Sequence, residues 1–309
     1  MQIQNLTLNN TSQQKISYKN NNTNNSTPKC DNSIKDVPNS FYRPLNFGGE
    51  IRVYDPMEEI RKEKKLRENL FNQFMVEQKD SDGNTITDKQ GRPITKLDPK
   101  IKEMLDSTTF EFTAPNGSKM NCTIKDAINE YIVDTLDEDT EFHRVIHGSS
   151  LESISDIINN GPDMRKTSRS AFGPGMYFAF SEGAAHDYSS AKLMADIIPQ
   201  RRENGEKGKI VRFNTTFYDD TINNHNVHKA ITDFTGLKAP NEPWQPYYIE
   251  RAYMELPEKL VDEYCRELMV EEMGIDAAQC SARGFHPCVV VLNPDAITNI
   301  QESNPYRYY

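Results

Sequence analysis

The sequence predicts a mixed α+β domain preceded by a mainly helical N-terminal region and a polar tail. Three observations lead there. From Phe142 onward strand-like and helix-like segments alternate, whereas most of the apolar spacing before it is helical. The strands are few and their connections irregular, which favours a mixed sheet over a doubly wound parallel one. No Gly-x-Gly-x-x-Gly follows any of these strands, so a Rossmann dinucleotide site is not indicated.

The boundaries follow composition. Residues 1–40 are dominated by Asn, Ser, Thr, Gln and Lys, as in "SYKNNNTNNSTPKCDNS". Such a stretch buries too little apolar surface to offset the entropy of ordering it, and it reads as a disordered Asn-rich tail. Residues 41–135 form the mainly helical region. Asp55-Pro56 opens a helix whose apolar stripe is Leu66, Leu70 and Phe74, flanked by Phe71 and Met75, with Glu58 and Lys62 paired on the wet face. "SDGNTITDKQGRPITK" reads as a turn-rich loop or small hairpin. A second hairpin turns at Asn116-Gly117, and "KDAINEYIVDTLDED" is helical.

Residues 136–309 are the α+β domain. "FHRVIHG" is a short strand, and "SLESISDIINNG" is a helix closed by Gly161. "GPGMYFAF" is a strand, "EGAAHDYSSAKLMADII" a helix and "GKIVRFNTTFY" a strand. "ELPEKLVDEYCRELMVEEMG" is an amphipathic helix with Leu256, Leu260, Tyr264 and Leu268 in line and Gly274 as its stop. The β-branched run in "PCVVVLNPDAITNI" marks a buried strand.

Composition narrows the functions available. The chain has 309 residues and a net charge of -10, with a mean hydropathy of -0.75. That balance argues against a general binder of nucleic acid or acidic membranes, which needs a basic surface. No stretch approaches the roughly 18 apolar residues of a membrane span. The five cysteines, Cys30, Cys122, Cys265, Cys280 and Cys288, contain no Cys-x-x-Cys pair. Neither a disulfide framework nor a zinc site is indicated, and a reducing compartment is expected. His225 and His228 lack a third ligand in sequence, so "NNHNVH" reads as a solvated loop and no metal is expected. "MQIQNLTLNN" has no standard secretory pattern, which points to the cytoplasm or to delivery into a host cell by another route.

The chemistry gathers in one stretch. His147 ends a strand, Gly148 lets a ligand approach the backbone, and Ser149 adds a hydroxyl. Gly173 and Gly175 then bracket Pro174 ahead of Tyr177 and Phe178, and Tyr188 follows in the next segment. Two aromatic faces and a glycine backbone suit a flat amide ring held between stacked phenols.

"HGSSLESISDIINNG" and "AFGPGMYFAFSEGAAHDY" together resemble the catalytic core of the diphtheria-toxin and poly(ADP-ribose)-polymerase group of ADP-ribosyltransferases. That group's pattern is His-Gly-Ser/Thr, a helix ending in Gly, Phe-Gly-x-Gly-Ile-Tyr-Phe-Ala, then a Tyr in the next helix. The resemblance covers residues 147–188 closely and extends more weakly to residue 302. It implies a split β-sheet core with helices and NAD as co-substrate. It also implies that His147 and Ser149 meet the adenosine ribose, the Gly148 backbone the carboxamide, and Tyr177, Phe178 and Tyr188 the walls around nicotinamide.

Two departures from the pattern matter. Ala185 stands where the family has a Ser that bonds the amide, and Cys288 stands where many members carry a catalytic Glu. A Glu from the preceding helix, Glu271 or Glu272, is the candidate replacement. By position, Arg283 and Phe285 are the candidate substrate contacts, because the corresponding loop selects the target in related enzymes. The resemblance therefore implies mono-ADP-ribosylation of a protein acceptor, in the manner of a bacterial effector or toxin. The alternatives are an inactive NAD or ADP-ribose-binding module, an NAD glycohydrolase, an RNA 2′-phosphotransferase and a purely structural protein.

Overall fold

The computed structural model describes residues 56–167, 172–186, 191–214, 224–241, 246–282, 284 and 286–303. Helix α1 (Pro56–Asn72) opens on a proline, whose missing N–H would have no helical acceptor in the first turn. Strands β1 (Met75–Glu77) and β2 (Thr95–Leu97) pair antiparallel and enclose the turn-rich loop. Helix α2 (Pro99–Ser107) is capped by Asp98, whose carboxylate accepts from the Lys100 amide at 2.8 Å. Strands β3 (Thr109–Thr113) and β4 (Lys119–Thr123) form the hairpin expected at Asn116-Gly117. Thr123 and Asp126 then make a reciprocal capping box that starts α3 (Ile124–Tyr131). Between residues 56 and 135, three helices thus alternate with short strands, the last being β5 (Ile132–Thr135).

The remaining elements build one large sheet. They are β6 (Phe142–Ser149), α4 (Leu151–Asn160), β7 (Met176–Ala179), α5 (Glu182–His186), β8 (Ala191–Ile197) and β9 (Lys209–Phe213). After them come α6 (His225–Thr235), α7 (Tyr247–Glu267), β10 (Ile275–Cys280), β11 (Cys288–Val291) and β12 (Ile297–Glu302). The strand order is β12-β8-β6-β7-β11-β10-β9-β5. Strands β9 and β10 run parallel and every other neighbouring pair antiparallel. The fold is α+β, with seven helices among the described residues and a large mixed sheet.

Four segments differ from the sequence reading. The stretch 125–139, expected to be helical, leaves α3 at Tyr131 and continues as β5, which pairs with β9. The stretch 182–198, expected to be one helix, is the short α5 followed by β8. Ala, Lys, Leu and Met favour helix, but Leu193, Ala195 and Ile197 alternate with less buried neighbours and are at most 1% exposed. Pairing with both β6 and β12 overrides the local propensity. Residues 275–280, to which the sequence reading assigned no element, form β10. His225 and His228 lie on α6, capped by Asn224 and ended by left-handed Gly236.

The sheet is buried on both faces. Along β11, Val290 joins one apolar cluster while Val289 and Val291 join the other, as the twofold period of a strand requires. The first cluster holds Leu70 and Phe71 of α1, Leu105 of α2, Ile128 of α3, Leu256, Leu260 and Tyr264 of α7, and Leu268 just beyond it. The described residues 56–135 and the sheet therefore share one core, within one compact unit. Among the described residues no helix is long and apolar enough to cross a membrane.

The sheet is thin at one place. Strands β6 and β7 share the pair Ile146↔Ala179, whereas β6 pairs with β8 through Ser149. Past Ile146 the two strands diverge, and a cavity opens in the gap.

Candidate functional site

The cavity measures about 520 Å³, within the roughly 300–1,000 Å³ of small-molecule sites. Its walls include His147, Gly148 and Ser149 from β6, Tyr177 from β7, Ala185 from α5 and Cys288 from β11. The turn that feeds β7 fits under this wall only as glycine. A Cβ on Gly175 would lie 2.6 Å from both Val290 Cγ1 and the Val291 carbonyl oxygen, and its φ is +144°.

His147 ties the diverging strands together. Its Nδ1 lies 2.8 Å from the Tyr177 carbonyl oxygen, which can only accept, so Nδ1 carries the hydrogen. Burial holds the imidazole below its ordinary value of 6.5, against a smaller opposing effect of that hydrogen bond. The ring is therefore neutral at pH 7 and Nε2 keeps a lone pair. His147 offers the cavity an acceptor, not a proton. Phe178, 1% exposed, sets its ring 5.6 Å from the imidazole at a tilt of 52°. It backs the histidine from the core.

Tyr177 presents its ring to the cavity and spends its hydroxyl on the fold. The oxygen accepts from the Phe172 amide at 3.1 Å and donates to the Gly173 carbonyl at 2.7 Å. These two bonds hold the 172–175 turn against β7. The hydroxyl is thus a positioning group.

Glu271 and Glu272 are not on the cavity wall. They sit in the π-helical turn Leu268–Glu272 that ends α7. Glu271 pairs with Lys96 at 2.8 Å, and Glu272 with Lys102 at 2.6 Å and Lys125 at 3.0 Å. Both lysines hold the Glu272 carboxyl below the usual range. This placement does not support the expectation that Glu271 or Glu272 serves the cavity: the two glutamates pair with lysines of β2, α2 and α3 at the end of α7. Tyr188, Arg283 and Phe285 lie outside the described residues, as does Trp244.

Sequence reasoning missed the cavity's ionic rim. Asp156 pairs with Lys166 at 2.9 Å, and Asp163 with Arg165 at 3.0 Å. Lys166 and Arg165 hold their respective carboxyls below the usual range, although for Asp163 burial works against this. The run "PDMRK" after Gly161 was the available signal. His286, two residues before Cys288, also lines the cavity. Cys288 pairs with Ala179 on one side and Cys280 on the other. A hydrogen bond from the Cys280 thiol holds the Cys288 thiol below its ordinary value, while burial pushes Cys280 well up. Among the described residues no cluster of three His, Cys, Asp or Glu side chains is placed to hold a metal.

No protein-family model matches the chain, and no curated protein matches it.

Proposed function

We propose that this chain is an NAD-dependent mono-ADP-ribosyltransferase that modifies a protein acceptor. The observation that carries the reading is the meeting on one cavity of His147-Gly148-Ser149 and Tyr177, which lie on different strands. The cavity's size and its mix of one neutral acceptor, a bare glycine backbone and an aromatic wall fit NAD. The neutral Nε2 of His147 accepts from a ribose hydroxyl. Gly148 leaves room for the carboxamide, and the Tyr177 ring forms one side of the nicotinamide slot.

Breaking the bond from nicotinamide to ribose builds positive charge at the ribose carbon, as in glycoside hydrolysis. Positioning then supplies the rate, because the cavity holds the reacting carbon in line with an incoming nucleophile. A carboxylate near that carbon would add electrostatic stabilisation. Cys288 heads β11, and the carboxylates that line the cavity, Asp156 and Asp163, are already paired with cations. That arrangement favours transfer of one unit over chain elongation. The same observation favours a second reading, in which the cavity binds NAD or ADP-ribose without transfer or hydrolyses NAD to free ADP-ribose.

Incubation with labelled NAD and a cell lysate separates these readings. Transfer labels a discrete protein band, and His147→Ala and Tyr177→Ala abolish the label. Nicotinamide release without label supports the hydrolase. Calorimetric binding without either product supports the binding module, and no binding overturns the NAD reading.

A further inference from the structure

A second chemistry sits on the same wall and does not depend on NAD. In the β10–β11 register Cys280 lies directly opposite Cys288. Directly opposed residues of an antiparallel pair have Cα atoms about 4.5–5.5 Å apart and side chains on one face. Disulfides form at Cα separations of about 4.4–6.8 Å, so the separation typical of this register lies within the range a disulfide spans. The two thiols differ in access: Cys288 lines the cavity, whereas Cys280 is 0% exposed, its Sγ 3.6 Å from the Ala278 carbonyl oxygen. The other described cysteines contrast with this pair. Cys122 and Cys265 are buried in the core, and burial keeps both as thiols.

We propose that Cys288 and Cys280 form an oxidisable dithiol whose oxidant is hydrogen peroxide entering through the cavity. The sulfur of Cys288, as thiolate, attacks one peroxide oxygen. The O–O bond breaks, and the departing hydroxide takes up a proton as water. Cys288 is then a sulfenic acid. The Cys280 sulfur attacks the Cys288 sulfur, the S–O bond breaks, and a second water leaves with the Cys280 proton. Two thiols are oxidised by two electrons, and one peroxide is reduced to two waters. The half-buried sulfur on the cavity wall is the entry point and the fully buried one resolves it, which protects Cys288 from further oxidation. The product draws the Cys288 sulfur toward β10 and removes a thiol from the cavity wall.

The test uses the reduced full-length chain and one equivalent of hydrogen peroxide. Trypsin cleaves after Arg266, Arg283 and Arg307, so Cys280 falls in peptide 267–283 and Cys288 in peptide 284–307. The expected result is a non-reduced digest in which these two peptides travel as one species, two hydrogens lighter than their sum and separated by dithiothreitol. In Cys280→Ala the sulfenic acid on Cys288 persists and is captured by dimedone. In Cys288→Ser neither product forms. Peroxide-treated wild type with both peptides still reduced, or with either cysteine linked to Cys122 or Cys265, overturns the proposal. The peptide map of the wild type decides this even if a variant fails to fold. Because the readout is covalent mass without NAD, its failure leaves the proposed transferase reading untouched.

Discussion

Replacing Tyr177 with Phe removes one oxygen and leaves the ring. The structure assigns that oxygen two bonds, one from the Phe172 amide at 3.1 Å and one to the Gly173 carbonyl at 2.7 Å. Each neutral hydrogen bond is worth about 1 kcal/mol net, and a buried donor deprived of its acceptor costs about 1–3 kcal/mol. Phe172 is 4% exposed, so water does not readily replace the lost acceptor. The expected loss is about 2 kcal/mol, which in a domain of this size lowers Tm by about 4–8 °C. The 172–175 turn, freed from β7, then spends part of its time away from the cavity wall. NAD affinity is expected to fall by up to about tenfold, equivalent to 1.4 kcal/mol. Bound NAD should nevertheless turn over at close to the wild-type rate, because the hydroxyl moves no proton. Thermal melts, calorimetric titration with NAD and single-turnover nicotinamide release measure the three quantities. An unchanged Tm with unchanged affinity refutes the positioning role. A lost chemical step with both preserved refutes it too, since the hydroxyl would then act on the substrate.

Four further outcomes are expected. Glu267 is 3% exposed and accepts from the Leu97 amide at 2.7 Å, and burial pushes its carboxyl from 4.5 up to about 7. Between those values the folded chain keeps a proton that the unfolded chain has released, so this group's contribution falls as pH rises through the window, by about 3 kcal/mol in all. Glu267→Gln keeps the acceptor and should flatten that slope and raise Tm at pH 8; parallel wild-type and variant profiles would count against it. Gly208→Ala places a Cβ 1.9 Å from Oδ2 of Asp276, a fully buried carboxylate bonded to Arg202, Asn293 and the Gln200 amide. Displacing that carboxylate should cost about 3 kcal/mol in urea unfolding. His147→Asn supplies an amide donor to the Tyr177 carbonyl but no acceptor at the Nε2 position, so it should retain the melting temperature of wild type and lose NAD affinity. Cys288→Glu puts a carboxylate at the head of β11, and nicotinamide release is expected to rise at least tenfold if the proposed chemistry holds.

The parts of the site fixed by local pattern were legible in the sequence. Leu256, Leu260, Tyr264 and Leu268 announce a buried helical face by spacing alone, and all four are at most 2% exposed. Gly161 stops α4 where expected, with φ of 73°. His147, Gly148, Ser149 and Tyr177 were named from the sequence, and the structure brings them to one cavity. What escaped was set by strand register. Residues 191–197 carry helix-favouring side chains and become strand because β6 and β12 lie on either side. Cys280 and Cys288 read as unrelated thiols until β10 and β11 place them opposite each other. Glu271 and Glu272 were candidates because they end the helix that precedes the strand of Cys288, yet the lysines that hold them come from β2, α2 and α3. No periodicity encodes those contacts.

The cavity exists because two strands stop pairing, and this gives His147 a double role. Had β6 and β7 continued in register beyond Ile146, backbone bonds would have closed the space that Gly148 and Ser149 now line. A gap in a sheet leaves backbone groups seeking partners. One of them, the Tyr177 carbonyl, is satisfied by Nδ1 of His147. The bond that repairs the sheet also fixes the tautomer, and so leaves Nε2 as the acceptor that the proposed function uses. Structure and recognition are therefore coupled through one imidazole. An alanine at this position removes the repair and the acceptor together, and its loss of activity would be equally consistent with a loosened β7. Only a variant that keeps the donor while deleting the acceptor separates the two roles, which is why asparagine is the more informative substitution.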